Sequence, residues 1–392
     1  MKLSEVKDRF VQLYGGGDSD FAVFHSPGRV NLIGEHVDYN GGVVFPCALT
    51  FGTYGIARKR PDDILQLAST NFEGQAIQVS LDAVAYDAKH GWANYLLGVT
   101  DQFQKLGMDI GGLDVLISGD MPPSAGLSSS ASVEMLMAVI INTLYNCDLP
   151  MLELVKLSQR AENQFVGVNC GIMDQFAIGM GKKDMAMLLN CDTLEYRHIP
   201  LVLGDNCVVI GNTNSPRGLA DSKYNERRGE CETAVEMLRS KLDINLLGDI
   251  EPDVFEANKH LITQENVLKR AAHVVYEIAR TKEATQRLMD GDLKGFGQLM
   301  YDSHDSLANL YEVTGPALDA LVAAAEKQPG VLGSRMTGAG FGGCTVSLVG
   351  KAHVDAFIEN VGHEYKKKTG INAEFYIAGI GDGTRMLCER DI

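Results

Sequence analysis

The apolar positions of the chain fall into short runs broken by glycine, proline and asparagine, and into longer stretches with helical spacing. The opening Met-Lys-Leu-Ser-Glu-Val-Lys-Asp-Arg-Phe starts a capped amphipathic helix, which the glycines at 15, 16 and 17 break. Short apolar runs at 21–24 and 30–33 predict two strands around Ser26, Pro27 and Gly28. A turn-rich stretch at 34–42 leads into an apolar strand at 43–49. There Asn40-Gly41-Gly42 is a hairpin signal, which predicts an exposed loop for Glu35, His36 and Asp38. Strands are expected at 52–58, 64–69, 76–80 and 113–118, and a helix at 92–106. In a helix at 150–165 the apolar stripe is Leu154, Leu157, Ala161 and Phe165, with Pro150 in the first turn, so Glu162 lies beside the stripe.

Near residue 200 the pattern changes. A strand at 207–211 is followed by a long charged helix at 221–238, then by helices at 253–259, 267–288, 293–310 and 315–325. Glycine-rich 333–343, a strand at 344–349, a helix at 354–368 and a strand at 374–377 close the chain. The mixture is α/β (α+β). With 392 residues, two domains are expected, 1–200 and 201–392.

Composition narrows the partners. A net charge of −16 with 22% charged residues argues against nucleic acid or an anionic membrane as the main partner, so an anionic ligand has to be held by local donors. The lysines at 366, 367 and 368 read as a solvated helix face. Eight cysteines show no Cys-x-x-Cys pair, and no histidine cluster has zinc spacing, so buried reduced thiols are expected. The largely apolar run 135–144 is too short to span a bilayer, and the first residues lack the apolar centre of a signal peptide. A cytoplasmic monomer acting on small molecules is the expectation.

Candidate chemistry centres on 122–134, Pro-Pro-Ser-Ala-Gly-Leu-Ser-Ser-Ser-Ala-Ser-Val-Glu, between the strand at 113–118 and the apolar run at 135–144. A strand, a small-residue loop and a helix start offer unpaired N–H groups, a partial positive charge and serine hydroxyls, which together suit a polyphosphate. Taken alone, the loop is equally compatible with an N-capped buried helix. Gly338-Ala339-Gly340-Phe341-Gly342-Gly343 matches G-x-G-x-x-G, but a strand follows it where a dinucleotide site requires a helix. A Walker G-x-x-x-x-G-K-[ST] and the protein-kinase motifs are absent.

Phosphoryl transfer asks for positioning, neutralised charge, a metal and a group to deprotonate the attacking hydroxyl. Ser130 and Glu162 could supply a hard oxygen pair for magnesium, Asp174 could take the proton, and Arg29 could hold the phosphoryl group. Each has a plainer reading: Asp174 as a helix cap, Arg29 paired with a surface carboxylate, Glu162 solvated. The stretch Glu35-His36-Val37-Asp38 has donors and acceptors for sugar hydroxyls, and would equally serve as a polar turn.

Gly28-Arg29-Val30-Asn31-Leu32-Ile33-Gly34-Glu35-His36-Val37-Asp38-Tyr39 resembles the galactokinase signature. Gly126-Leu127-Ser128-Ser129-Ser130-Ala131 resembles the phosphate loop of the GHMP kinase superfamily, and 338–343 its third motif. Ala161-Glu162-Asn163-Gln164-Phe165-Val166-Gly167 and Gly171-Ile172-Met173-Asp174-Gln175 follow in the family's order. The resemblance implies a two-domain GHMP fold, with a mixed-sheet N-terminal domain, a ferredoxin-like C-terminal domain and the site in the cleft between them. It implies an ATP-dependent kinase for O1 of α-D-galactose. In that reading Asp174 is the base and Arg29 the phosphoryl stabiliser. Glu35, His36, Val37, Asp38, Asp174 and Tyr224 bind the sugar. Ser69, Ser124, Ala125, Gly126, Leu127, Ser128, Ser129 and Ser130 bind the nucleotide, and Ser130 and Glu162 hold Mg2+. A kinase for N-acetylgalactosamine and a non-catalytic sugar sensor on the same scaffold are the alternatives.

Overall fold

One long strand organises the first half of the molecule. In this computed structural model, which describes residues 2–17, 20–72, 74–121, 126–215 and 220–388, helix α1 (Leu3–Tyr14) precedes strand β1 (Ala22–Asn31). The two strands expected at 21–24 and 30–33 are therefore one. Pro27 and Gly28 do not interrupt it, because the register to its neighbour shifts between Pro27 and Arg29 and the irregularity absorbs them. Next come β2 (Val43–Val44), β3 (Pro46–Lys59), β4 (Ile64–Ser69), β5 (Ile77–Ser80), α2 (Ala93–Lys105) and β6 (Leu113–Gly119). Here β3 takes in the later part of the expected run at 43–49 together with the run at 52–58, while Val43 and Val44 form β2.

Beyond the phosphate-loop stretch lie α3 (Ser129–Leu144), α4 (Met151–Ala161), α5 (Met173–Met180), β7 (Met185–Asn190) and β8 (Tyr196–Pro200). The second half contains β9 (Asn206–Asn212), α6 (Ala220–Leu238), α7 (Pro252–Asn258), α8 (Glu265–Met289), α9 (Leu293–Ser306) and α10 (Gly315–Glu326). It ends with β10 (Val331–Thr337), β11 (Cys344–Gly350), α11 (Val354–Thr369), β12 (Glu374–Ala378) and β13 (Arg385–Met386). Strand β10 went unread in the sequence. It means that a strand both precedes and follows the glycine-rich 338–343, so the helix a dinucleotide site requires is still missing.

Among the described residues three sheets result: a six-stranded one ordered β13-β1-β3-β6-β4-β5, a four-stranded one ordered β10-β11-β9-β12, and a small β2-β7-β8 sheet. Among the described residues only β4 and β6 pair in parallel, and both carboxyl ends point toward the start of the serine-rich loop. The four-stranded sheet is built wholly from residues past 200, whereas β13 crosses back to pair with β1.

The larger core packs α2, α3, α4 and α5 against the six-stranded sheet through residues such as Leu97, Phe103, Val115, Leu136, Ile140, Leu157 and Phe176. A second cluster joins the halves: Val30, Leu32, Phe45 and Leu49 meet Ile210, Phe296, Met300 and Val346. The ends of β1 and β3 are thus clamped to the second half by apolar contact, which fixes the signature stretch that follows β1. Among the described residues no disulfide joins any of the eight cysteines. No helix among the described residues is long and apolar enough to cross a membrane.

Candidate active site

The signature stretch departs most from its expected setting. Instead of an exposed loop, Glu35 is 1% and His36 4% exposed, and Asp38 is half-buried. The turn is short, a single 3-10 turn over Asp38–Asn40 closed by Gly41 in the left-handed region, so local pattern alone suggests exposure. Burial comes from far along the chain, where α6, α8 and the 338–343 loop close over it.

From α8, His273 Nε2 lies 3.1 Å from the Glu35 carbonyl, while the Gly34 N–H donates to Glu277 Oε1 at 3.0 Å. Burial holds the His273 ring at about 4, so it is neutral. A carbonyl can only accept, so Nε2 carries the proton and Nδ1 accepts from Ser306 Oγ at 2.8 Å. Burial alone would push the Glu277 carboxyl up, but Arg280, Arg335 and the Ser303 hydroxyl together hold it down at about 2.

Glu35 is fully engaged. Its Oε2 accepts from Asn31 Nδ2 at 2.8 Å, and its Oε1 accepts from the Gly338 N–H at 2.7 Å and from Arg335 Nη1 at 3.4 Å. Gly338 has φ +84°, and a Cβ there would lie 2.9 Å from the Gly126 carbonyl, so the third glycine motif can meet the phosphate loop only without a side chain. His36 follows the same logic as His273. Burial lowers its ring to about 3, so Nε2–H donates to the Ala339 carbonyl at 3.1 Å and Nδ1 accepts from Tyr39 Oη at 2.9 Å. Tyr39 in turn meets Tyr311 Oη at 2.8 Å.

Arg29 and Asp174 form the centre of the site. Arg29 Nε and Nη2 donate to the two carboxylate oxygens of Asp174 at 2.7 and 2.9 Å, a bidentate pair, and Nη1 donates to the Gly126 carbonyl at 2.9 Å. Ser128, a non-glycine residue at φ 63°, turns its hydroxyl onto Asp174 Oδ2. Asp174 stands in the first turn of α5, and Arg29 in β1. A cavity of about 310 Å³ opens here, lined by Arg29, Glu35, His36, Asp38, Glu162, Asp174 and Tyr224. Burial, then the charge of Asp174, pushes the Asp38 carboxyl up to about 7. The Tyr224 ring lies 5.6 Å from that of His36 and 5.3 Å from that of Tyr39.

Glu162 sits where α4 passes into the π-helical turn Glu162–Val166, a distortion that re-aims one side chain. Burial pushes its carboxyl up, and hydrogen bonds from Cys170, Ser130 and Gln175 oppose that. Ser130 is thus within hydrogen-bond reach of Glu162. No cluster of three or more His, Cys, Asp or Glu among the described residues forms a metal site. Two hard oxygens beside a phosphate loop nevertheless fit magnesium, which fills its remaining positions with water and phosphate.

Other expected residues fall elsewhere. The Val37 side chain lies in the main core, and only its carbonyl serves the turn, accepting from Asn40 and Gly42. Leu127 is buried in the second cluster, its carbonyl accepting from the Arg29 N–H at 3.2 Å, and Ser129 is exposed. Ser124 and Ala125 lie outside the described residues. Ser69 ends β4 and lines a different cavity, of about 610 Å³, with α1 residues and Phe72. Thr70 beside it hydrogen-bonds to Ser118 on β6, the strand that leads into the phosphate loop. Asn31, Arg335, His273 and Glu277 went unread. The α8 residues His273, Glu277 and Thr281, spaced by four and all buried, carried the one periodic signal that could have found them.

Three family profiles match in order: the galactokinase galactose-binding signature over residues 8–59, the GHMP kinases N terminal domain over 94–182, and GHMP kinases C terminal over 281–367. The chain is 53% identical to the galactokinase of Ligilactobacillus salivarius, over 97% of this chain and 99% of the relative. It is 51% identical to that of Bacillus subtilis, over 98% of each. A crystal structure of Lactococcus lactis galactokinase complexed with galactose superposes with a TM-score of 0.96 at 47% identity, covering 98% of this chain and 100% of that one. The mevalonate kinase of Methanococcus jannaschii, at 18% identity and a TM-score of 0.67 over 93% of this chain and 100% of the other, shares the fold. The paired Arg29 and Asp174, the serine loop against them and the matched profiles converge: this chain belongs to the galactokinase family of the GHMP kinases.

Proposed function

We propose that this chain transfers the γ-phosphoryl group of ATP to O1 of α-D-galactose, giving galactose 1-phosphate and ADP. The observation that carries the proposal is the bidentate pair of Arg29 and Asp174, set between the phosphate-loop carbonyl of Gly126 and a sugar-sized cavity. The Asp174 carboxylate takes the O1 proton as the O1–P bond forms and the bond from phosphorus to the ADP oxygen breaks. The Arg29 guanidinium, fixed on two sides, offsets the charge spread over the moving phosphoryl oxygens.

Asp38, His36, Glu35 and Tyr224 bound the cavity in which the hexose lies, with Asp38 half-buried and Glu35 sealed. The backbone and hydroxyls of 124–130 wrap the nucleotide phosphates, and Ser69 stands on the neighbouring strand. Magnesium, held by Ser130 and Glu162, would neutralise charge on the β- and γ-phosphates. The halves 1–200 and 201–392 form the two sides of the cleft, and the protein works as a cytoplasmic monomer.

The test is to incubate the pure protein with magnesium and ATP and a hexose panel that includes N-acetylgalactosamine, follow ADP release, and locate the phosphate by 31P NMR. Rapid ADP release with galactose and a phosphate on C1 is expected. No turnover on any hexose, or a phosphate on another carbon, would sink the proposal.

A further inference from the structure

Helix α3 is buried on nearly every side and carries one carboxylate, Glu134, which is 0% exposed. An apolar residue would fill that place at lower cost, because a buried carboxyl loses its hydration and here gains little in return. Glu134 lies one helical turn beyond Ser130, so both point from the same face of α3. From α5, Gln175 Nε2 donates to Glu134 Oε2 at 3.0 Å and to Glu162 Oε2 at 2.6 Å, so one amide nitrogen spends both its hydrogens on the two carboxyls. The remaining oxygens, Glu134 Oε1 and Gln175 Oε1, are buried and have no partner among the described residues. Elements from three parts of the chain thus bring the Glu134 and Glu162 carboxyls together across one bridging amide, with two buried oxygens left without a hydrogen-bond partner beside them.

We propose that Glu134 and Gln175 are positioning residues for a divalent cation, holding the Glu162 carboxylate in place and accepting hydrogen bonds from the cation's water shell. The inference rests on the reading that Ser130 and Glu162 hold that cation. Magnesium sheds its waters reluctantly, so a site offering only two protein oxygens has to orient several bound waters. Groups that orient metal ligands typically govern about 10- to 100-fold in metal affinity or activity.

The experiment titrates Mn2+ by electron paramagnetic resonance into the protein with a non-hydrolysable ATP analogue, so no turnover is needed. Glu134→Met and Gln175→Met should each weaken Mn2+ binding by about tenfold or more. Glu134→Met should keep or raise the melting temperature, because it replaces a buried carboxyl with an apolar side chain of similar volume. A lowered melting temperature with unchanged Mn2+ affinity would show that Glu134 only supports packing and would overturn the proposal. Should Glu134→Met fail to fold, Glu134→Gln keeps the shape, and unchanged affinity there is equally fatal. Glu162→Gln separates the two levels. If it weakens Mn2+ binding while the Glu134 and Gln175 variants do not, this inference alone fails; if it leaves Mn2+ binding untouched, the cation reading fails with it.

Discussion

Two arginine–carboxylate pairs stand on opposite sides of the signature stretch, and they differ chiefly in access. Arg29 and Asp174 meet at 2.7 Å with the Asp174 side chain 30% exposed, whereas Arg335 and Glu35 meet at 3.4 Å with both side chains sealed, at 0% and 1%. The sealed pair is embedded in Asn31, Ser303, Gly338 and the carboxylate of Glu277 beyond Ser303. The open pair leaves a carboxylate and a guanidinium at a cavity that a ligand can enter. The same chemical pairing therefore does two jobs. A pair that a substrate can reach can exchange partners and protons, while one with no access can only hold backbone in place.

Breaking the open pair should cost rate and spare the fold. Arg29→Ala is expected to lower kcat by about 10³ to 10⁵, as loss of a charge-stabilising arginine does in phosphoryl transfer, with the melting temperature within a few degrees of wild type. Steady-state kinetics beside a thermal melt would check this. A normal kcat would place the phosphoryl group elsewhere.

Breaking the sealed pair should do the reverse. Arg335→Met leaves Glu35 buried without its cation, which typically costs about 3–5 kcal/mol of stability. Urea unfolding measures it, and a loss below 1 kcal/mol would mean that Glu35 does not depend on Arg335.

The α8 contacts sharpen the contrast through pH. Folding holds His273 at about 4 against 6.5, so the neutral ring is the folded form. Its stabilisation is complete above pH 6.5 and is lost as pH falls from there to 4, on the order of 3 kcal/mol. Glu277, Arg280, Arg335, Ser306 and the Glu35 carbonyl surround it, and Glu277 stays ionised throughout that window. His36, lowered to about 3, adds a slope of the same sign. His273→Gln should flatten part of the acid side of the stability curve, and an unchanged slope would remove His273 from the account.

The smallest effect belongs to Asp38. Raised to about 7 by burial and then by Asp174, it ionises as pH rises through neutrality. An ionised acceptor binds sugar hydroxyls more strongly. The KM for galactose should therefore fall a few-fold between pH 6 and 8, and Asp38→Asn should abolish that fall while leaving the KM for ATP alone. A pH dependence that persists in Asp38→Asn would assign it to another group.

The same contrast marks what could be read from the chain. Residues on the open side, Arg29, Ser128, Glu162 and Asp174, stand in contiguous runs whose order and spacing are recognisable, so the sequence already singles them out as candidates. Residues on the sealed side were not, because each is a lone polar group in an otherwise ordinary helix or strand. His273 finds Glu35 across 238 positions and Arg335 does so across 300, distances at which no local pattern operates. The expectation of an exposed signature loop failed for the same reason, since a turn signal reports local geometry and the cover is built from elsewhere. Proline and glycine in β1 misled at a smaller scale: a register shift lets a strand continue where composition suggests a break.

The most direct measurement follows one turnover by rapid quench, with labelled ATP and saturating galactose, in wild type and Asp174→Asn. Wild type should form galactose 1-phosphate in a fast single phase, and Asp174→Asn should slow that phase by about 10² to 10⁴ with both substrates still bound. An Asp174→Asn rate close to wild type would contradict the claim that the open pair performs the transfer.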